Sequence, residues 1–355
     1  MRTYWIAAIP GDGIGKEVVP IAIEVLKALA EQQRDFALLF DVLPWGADYY
    51  RSTDRFMPED GIATLRQYDA IYFGAFGDPR IPDHVIVWGW WLPVCRALDH
   101  NASVQPIRIL PGIRGPLHDR GPGDLDWVLV RENGQEEFAN DRGRPRSGAF
   151  TSEDAVFSRA GVFQIMRFAF QLARSRPRQH LTVVTESKTD PRNMVMWNRV
   201  SAATKHEFPE VTLDTEPFDA VTSRMVQRPQ TLDTMIAVGS HADVLDDLGV
   251  ALAGGRGLLP SANLDPSRRS PSMFRPAHGP AFEITGRGTA NPIAAFWAGA
   301  LMLEHLGERD AAIRLSAAVE HVTGAGAPLT PDIGGTATTR EVADAVIGAL
   351  KNRSD

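Results

Sequence analysis

Two aspartates four residues apart, Asp243 and Asp247 in the run ADVLDDL at 242–248, are the part of this chain best suited to metal chemistry. On a helix, residues i and i+4 share a face. The pair would therefore present two hard carboxylate oxygens of the kind Mg²⁺ or Mn²⁺ takes, with Asp246 pointing elsewhere. The same spacing also describes an ordinary acidic, solvated helix, and the pair alone does not separate the two. A second candidate is Gly11-Asp12-Gly13-Ile14-Gly15, between a strand pattern and a helix pattern, where a glycine turn can cradle phosphate. It lacks the full G-x-G-x-x-G spacing, and such turns are common without any nucleotide.

Composition narrows the classes to which these residues can belong. A chain of 355 residues with 44% apolar content can bury one large core or two smaller lobes. The formal charge of -7, with Lys and Arg scattered, offers no basic stripe for nucleic acid. No apolar run reaches the roughly 18 residues of a membrane span, and the opening MRTYWIAAIPGDGIG is too short in apolar residues for a signal peptide, so a cytoplasmic protein is expected. A single cysteine, Cys95, excludes an intramolecular disulfide and any multi-cysteine metal centre. Oxygen or imidazole must hold any metal.

The elements that would position these groups alternate between short β-rich runs and helical patterns, as in an α/β architecture with a largely parallel sheet. Strands are expected at 4–9, 69–73, 127–130, 181–185, 211–215 and 234–238. Helical spacing is clearest at 17–30 and 162–173, and Asn291-Pro292 marks the start of a helix running towards His305. Breaks are expected near Ser103 and at Gly254-Gly255, which would make the middle segment a separate lobe.

Several motifs follow one another in order: IPGDGIGKEVVP at 9–20, YFGAFGDPRIPDH at 72–84, VREN at 130–133, LLPSANLDPSRRSPSMFRPAHG at 258–279, GRGTANP at 286–292 and GGTATT at 334–339. Together they resemble the metal-dependent β-decarboxylating dehydrogenases of isocitrate, isopropylmalate, tartrate and D-malate. The PDH and WG-x-x-LP pattern at 84–93 is closest to the tartrate/D-malate branch. The resemblance spans nearly the whole chain and implies a two-lobed fold of the isopropylmalate dehydrogenase type, not a Rossmann domain. Parallel and mixed sheets would be flanked by helices, with residues 1–103 and 252–355 forming a large cofactor-binding domain. Residues 104–251 would form a small domain carrying the dimer interface and the metal aspartates.

The resemblance further implies a homodimer whose active site is shared between subunits, with Asp243 and Asp247 supplied by one copy and Asp219 by the other. It places the adenosine half of NAD on the 278–292 loop through His278, Gly279, Ala290 and Asn291. Glu283 stands where a carboxylate would accept from ribose hydroxyls and repel a 2′-phosphate, so NAD is expected over NADP.

Other positions depart from the family pattern. A tyrosine is expected where Phe138 stands and a lysine where Glu186 stands, so both usual proton-transferring groups are replaced. Of three arginines that would grip substrate carboxylates Arg131 remains, while Cys95 (followed by Arg96) and Gln105 occupy the other two places. Glu186 with Lys188, two residues on, reads either as a new acid/base pair or as a structural ion pair. His241 reads as a proton shuttle or metal ligand, or as a solvated histidine. Cys95 reads as a nucleophile or as a small buried hydrophobe. Trp90 and Trp91, where leucines are expected, add aromatic bulk near the substrate's variable side or else pack in the core. The sum of these changes suggests a non-standard, less anionic, aromatic or apolar hydroxy-acid-like substrate, such as a specialised metabolite, with malate and tartrate turnover impaired. A binding protein that has lost its chemistry, and a tartrate/D-malate dehydrogenase with replaced proton relays, stay as alternatives.

Overall fold

The computed structural model describes residues 1–133, 158–185 and 191–352. Ten strands form one sheet. In chain order they are β1 (Arg2–Gly11), β2 (Phe36–Val42), β3 (Ala70–Ala75), β4 (Ala102–Arg108) and β5 (Asp126–Glu132), followed by β6 (His180–Thr185), β7 (Thr212–Pro217), β8 (Thr234–Ala237), β9 (Pro260–Leu264) and β10 (Ser272–Pro276). Across the sheet their order is β2-β1-β3-β10-β9-β4-β5-β8-β6-β7. Strands β2, β1, β3 and β10 are mutually parallel, as are β5, β8, β6 and β7. Between the two blocks, the pairs β10–β9, β9–β4 and β4–β5 are all antiparallel, so the blocks run in opposite senses. This is the expected α/β, mixed-sheet architecture.

Of the stripe Val18, Ile21, Val25, Leu26 and Leu29 that its spacing predicts, the helix Gly15–Gln33 buries all but Ile21, which is half-buried, and it buries Ala22 as well. The helix Ile293–Leu306 is apolar on every side, and Ile293, Phe296, Ala300 and Leu303 are all buried, so it runs through the core rather than over it. Asn291 caps it, its Oδ1 accepting from the Ile293 amide at 3.0 Å. A separate apolar cluster is drawn wholly from residues between 102 and 238, centred on Phe170, Trp197 and Phe208. No helix among the described residues is long and apolar enough to cross a membrane.

All six expected strands form, within a residue or two of their predicted bounds. Strands β2, β4, β9 and β10 were not anticipated. Proline hides three of them: β9 opens on Pro260, β10 ends on Pro276, and Pro106 interrupts β4. β9 pairs only with Ala102–Val104 of β4, so Pro106 lies where the strand has already lost one neighbour and a missing donor is tolerated. The break expected near Ser103 falls inside β4, which is paired on both sides at that residue. The one at Gly254-Gly255 is a true turn, with φ of +107° and +129°.

Candidate active site

The antiparallel centre of the sheet turns alternate side chains of four strands onto one face. Ser103 and Gln105 come from β4, Leu129 and Arg131 from β5, Ser261 and Asn263 from β9, and Arg275 from β10. Register makes this a grid: Ser103 lies opposite both Arg131 and Asn263, and Ser261 opposite Arg275. The helix Gly239–Leu252 closes one side with Ala242, Asp243 and Asp246, and Trp91 closes another. The resulting cleft holds about 400 Å³ including its open mouth.

A chain of polar contacts crosses its floor. Arg131 forms an ion pair with Asp243 at 3.2 Å and donates through Nη1 to Asn133 Oδ1 at 2.7 Å. An arginine can only donate, so Asn133 must turn its oxygen to Arg131 and its amide nitrogen onward, to Asn263 Oδ1 at 2.9 Å. That leaves Asn263 Nδ2 without a partner among the described residues, and Gln105 Nε2 and Arg275 Nε nearby have none there either. Buried donors are almost always paired, so three unpaired ones under one cleft mark its floor as polar and incompletely satisfied. Asp246 Oδ1 is an acceptor in the same space with no partner among the described residues. Burial, opposed by Arg275, pushes the Asp246 carboxyl up to about 6.

The two helix aspartates do not behave alike. Asp243 lines the cleft on Arg131, whereas Asp247 is exposed outside the cleft lining and paired with Arg256 at 2.5 Å. Asp246, expected to point elsewhere, lines the cleft instead. The helix docks with Ala242, Leu245 and Gly249 inward, and this rotation turns Asp246 towards the sheet. Asp219 is exposed in the first turn of the helix Phe218–Gln227. Among the described residues, no three His, Cys, Asp or Glu side chains gather closely enough to hold a metal. Asp243 and Asp247 fit the hard-oxygen chemistry of a divalent cation, and the remaining ligands would have to come from substrate, water or another chain.

His241 packs against the Phe218 ring at 4.6 Å and leaves Nδ1 buried without a partner among the described residues. Trp90 requires correction as a substrate contact: it is fully buried, stacked at 6.0 Å on Phe73 and edge-on to Trp45, so its ring is core. Trp91 does line the cleft, over the Arg275 guanidinium at 5.0 Å. Cys95 is buried and is not part of the cleft lining, and Arg96 lies 6.0 Å from the Trp88 ring. Phe138, Glu186 and Lys188 lie outside the described residues.

The expected cofactor loop follows directly on β10. His278 is buried, its Nδ1 3.0 Å from the Gly279 carbonyl oxygen, with Nε2 unpaired among the described residues; burial pushes it down to about 4. Gly279 and Glu283 are exposed. Ala290 is buried, its carbonyl accepting from Thr339, while Asn291 donates to Asp332 at 2.9 Å. The Gly11–Gly15 turn is filled by protein. Gly11 and Gly13 have φ of +69° and +54°, and the Ile14 amide donates to the Pro280 carbonyl at 2.8 Å. Asp12 accepts from the amides of Ala47 and Gly77, so this turn ties three loops together where a phosphate cradle was one expectation. Arg275, Asn263 and Asn133 were missed as site residues; strand alternation applied to SAN at 261–263 would have put Ser261 and Asn263 on one face.

A mixed sheet with an acid- and amide-lined cleft at its antiparallel centre defines the class. The chain belongs to the isocitrate/isopropylmalate dehydrogenase family, whose pattern matches residues 5–346. It is 54% identical over 353 residues to a probable tartrate dehydrogenase/decarboxylase of Agrobacterium vitis, covering 99% of this chain and 97% of that one. It is 43% identical to the decarboxylating D-malate dehydrogenase of Escherichia coli, covering 98% of each. The crystal structure of isocitrate dehydrogenase from Methylococcus capsulatus matches with a TM-score of 0.84 at 28% identity, over 99% of this chain and 100% of that one.

Proposed function

We propose that this protein is a dehydrogenase of a small 2-hydroxy acid that uses NAD and Mg²⁺ or Mn²⁺, in a homodimer with a shared site. The observation carrying this is the relay from Asp243 through Arg131 and Asn133 to Asn263 on the floor of the cleft, beside buried side-chain nitrogens that have no partner among the described residues. Arg131 and the Asn263 and Gln105 amides would hold a carboxylate and fix which face of the carbinol carbon meets the nicotinamide. Oxidation moves a hydride from that carbon to NAD⁺ and the hydroxyl proton to a base; in a hydroxy diacid, the β-carboxylate can then leave as CO₂ and the enolate takes up a proton. Asp243 and Asp247, with Asp219 of a second copy, would hold the metal, which when bound polarises the hydroxyl and carboxylate oxygens. The loop with His278, Gly279, Glu283, Ala290 and Asn291 would take the adenosine half of NAD.

Phe138 and Glu186 bear on the proton steps. Neither the tyrosine nor the lysine expected by resemblance is there, so Glu186, Lys188 or His241 must serve, or turnover falls by ~10²–10⁴. The sequence suggested a less anionic or aromatic substrate. Trp90 in the core weakens the aromatic part of that expectation, and the donor-rich cleft favours an acid.

The assay supplies D-malate, tartrate, 3-isopropylmalate and aromatic 2-hydroxy acids with NAD and Mn²⁺, and follows NADH and CO₂. We expect NADH from at least one small hydroxy acid, with malate and tartrate turned over at less than about 1 s⁻¹, a slow rate for an enzyme. Binding of NAD and Mn²⁺ without NADH from any acid would instead make this a binding protein, and the proposal would be abandoned.

A further inference from the structure

We propose that Glu17, in the first turn of the helix Gly15–Gln33, is a positioning residue for the cofactor: its carboxylate holds Gly286 and Gly288 and keeps their loop in the conformation that takes the adenosine half of NAD. This rests on the reading of residues 278–292 as the NAD loop and adds a residue from outside it. One carboxylate oxygen accepts from the Gly286 amide and the other from the Gly288 amide, the latter at 3.2 Å. Both glycines stand in the left-handed region, with φ of +76° and +65°. They lie between the short helix Phe282–Ile284 and the helix Ile293–Leu306, in no strand or helix, so contacts of this kind must fix their backbone.

The hold is part of a closed ring. Seven residues make nearly two full turns of a helix, so Glu24 lies on the same face as Glu17, and it accepts from Arg340 Nη2 at 3.0 Å. Thr339, next to Arg340, donates its amide to the Gly288 carbonyl at 2.8 Å and its hydroxyl to the Ala290 carbonyl at 2.7 Å. The helices Gly15–Gln33 and Thr339–Asn352 thus grip one segment of the loop from two elements. Further back, the Ile14 amide holds the Pro280 carbonyl at 2.8 Å. His278 and Gly279 lie just before that first hold, Ala290 and Asn291 just after the second, and the exposed Glu283 between the two. The turn Gly11–Gly15 and Glu17 therefore act together, as a clamp on the loop. A loop that spends only about one-tenth of its time in the binding conformation binds about 10-fold more weakly, so the clamp acts on affinity.

The test measures Kd for NAD and for Mn²⁺ by calorimetry, and hydrogen exchange across residues 284–290, in the wild-type protein, Glu17→Gln and Glu17→Asp. A glutamine offers one acceptor oxygen and sets its NH₂ against the second amide. We expect Glu17→Gln to raise Kd for NAD about 10-fold and to speed exchange of the segment, with Kd for Mn²⁺ unmoved. Glu17→Asp, which keeps both oxygens on a shorter stem, should fall between the two. An unchanged Kd for NAD in Glu17→Gln overturns the proposal, and so does a rise matched by an equal rise for Mn²⁺ with a lowered melting temperature, since that marks a general loosening. Should Glu17→Gln fail to fold, Glu17→Asp decides, and an unchanged Kd for NAD there overturns the proposal equally. If the wild type binds no NAD, the proposed function itself fails; if it binds NAD with no role for Glu17, only this inference does.

Discussion

Asn133 is the hinge of the cleft's polar relay, and truncating it to alanine should be costly in a way that can be worked out from its contacts. Its side chain is 2% exposed and serves two neighbours at once, accepting from Arg131 and donating to Asn263, itself 1% exposed. The bond from the guanidinium is charge-assisted, worth ~1.5–3 kcal/mol, and the amide bond adds about 1 kcal/mol, with a further cost for leaving the Asn263 oxygen unpaired. Asn133→Ala should therefore lose about 3–5 kcal/mol, a large part of the stability of an ordinary domain. Asn133→Asp should behave differently. It strengthens the bond to Arg131 but sets a carboxylate oxygen against Asn263 Oδ1, so the Asn263 amide must turn over and point its nitrogen inward. The cleft then loses a donor while the fold keeps its contacts. Urea denaturation reads the first effect and KM for the best hydroxy acid reads the second. Asn133→Asp should raise KM by about 10-fold with a nearly unchanged urea midpoint, since about 1.4 kcal/mol of binding corresponds to that factor. A double-mutant cycle between Asn133→Ala and Asn263→Ala should show coupling of at least about 0.5 kcal/mol. Strict additivity, together with an unmoved KM in Asn133→Asp, would refute the relay.

Two further expectations concern acid and metal. Burial pushes His100, His278 and His305 each down to about 4 from an ordinary 6.5. The unfolded chain takes up these protons below pH 6.5 and the folded one only near pH 4, so the stabilisation is complete above pH 6.5 and is lost as pH falls through this window, at up to about 3 kcal/mol per histidine. The urea midpoint should drop steeply between pH 6.5 and 4.5, and a flat profile there would contradict the burial of these rings. For the metal, the pairing of Asp247 with Arg256 involves side chains more than half exposed, and such pairs are worth only ~0–1 kcal/mol. Titrated with Mn²⁺, Arg256→Ala should bind up to about 5-fold more tightly and Asp243→Asn at least 10-fold more weakly, and equal affinities in all three proteins would remove these aspartates from any metal site.

The parts of this structure that could be read from the sequence are those set by local periodicity. The apolar stripe at 17–30 and the compact β-rich runs of β3, β5, β6 and β8 each need only a few adjacent residues to declare themselves, and all of them formed. What escaped depends on docking. Asp246 and Asp247 lie about 60° to one side of Asp243 and about 40° to the other around a helix of 3.6 residues per turn, so spacing alone names both as its neighbours and cannot say which one meets the sheet. The sheet chose Asp246, because Ala242, Leu245 and Gly249 are the small and apolar residues that let the helix approach. Arg275 was invisible for a related reason. Without β10 recognised as a strand there was no alternation to assign it a face, and the residues that share the cleft with it, Trp91, Gln105 and Asn263, come from three other elements. Taken one position at a time, the cysteine at 95, the glutamine at 105 and the tryptophan at 91 look like losses of charge and gains of bulk. In the fold they part company: Trp91 and Gln105 line the cleft beside the Arg275 guanidinium, with the Trp91 face 5.0 Å away, whereas Cys95 is buried outside that lining, so one run of departures from the family pattern serves two different surroundings.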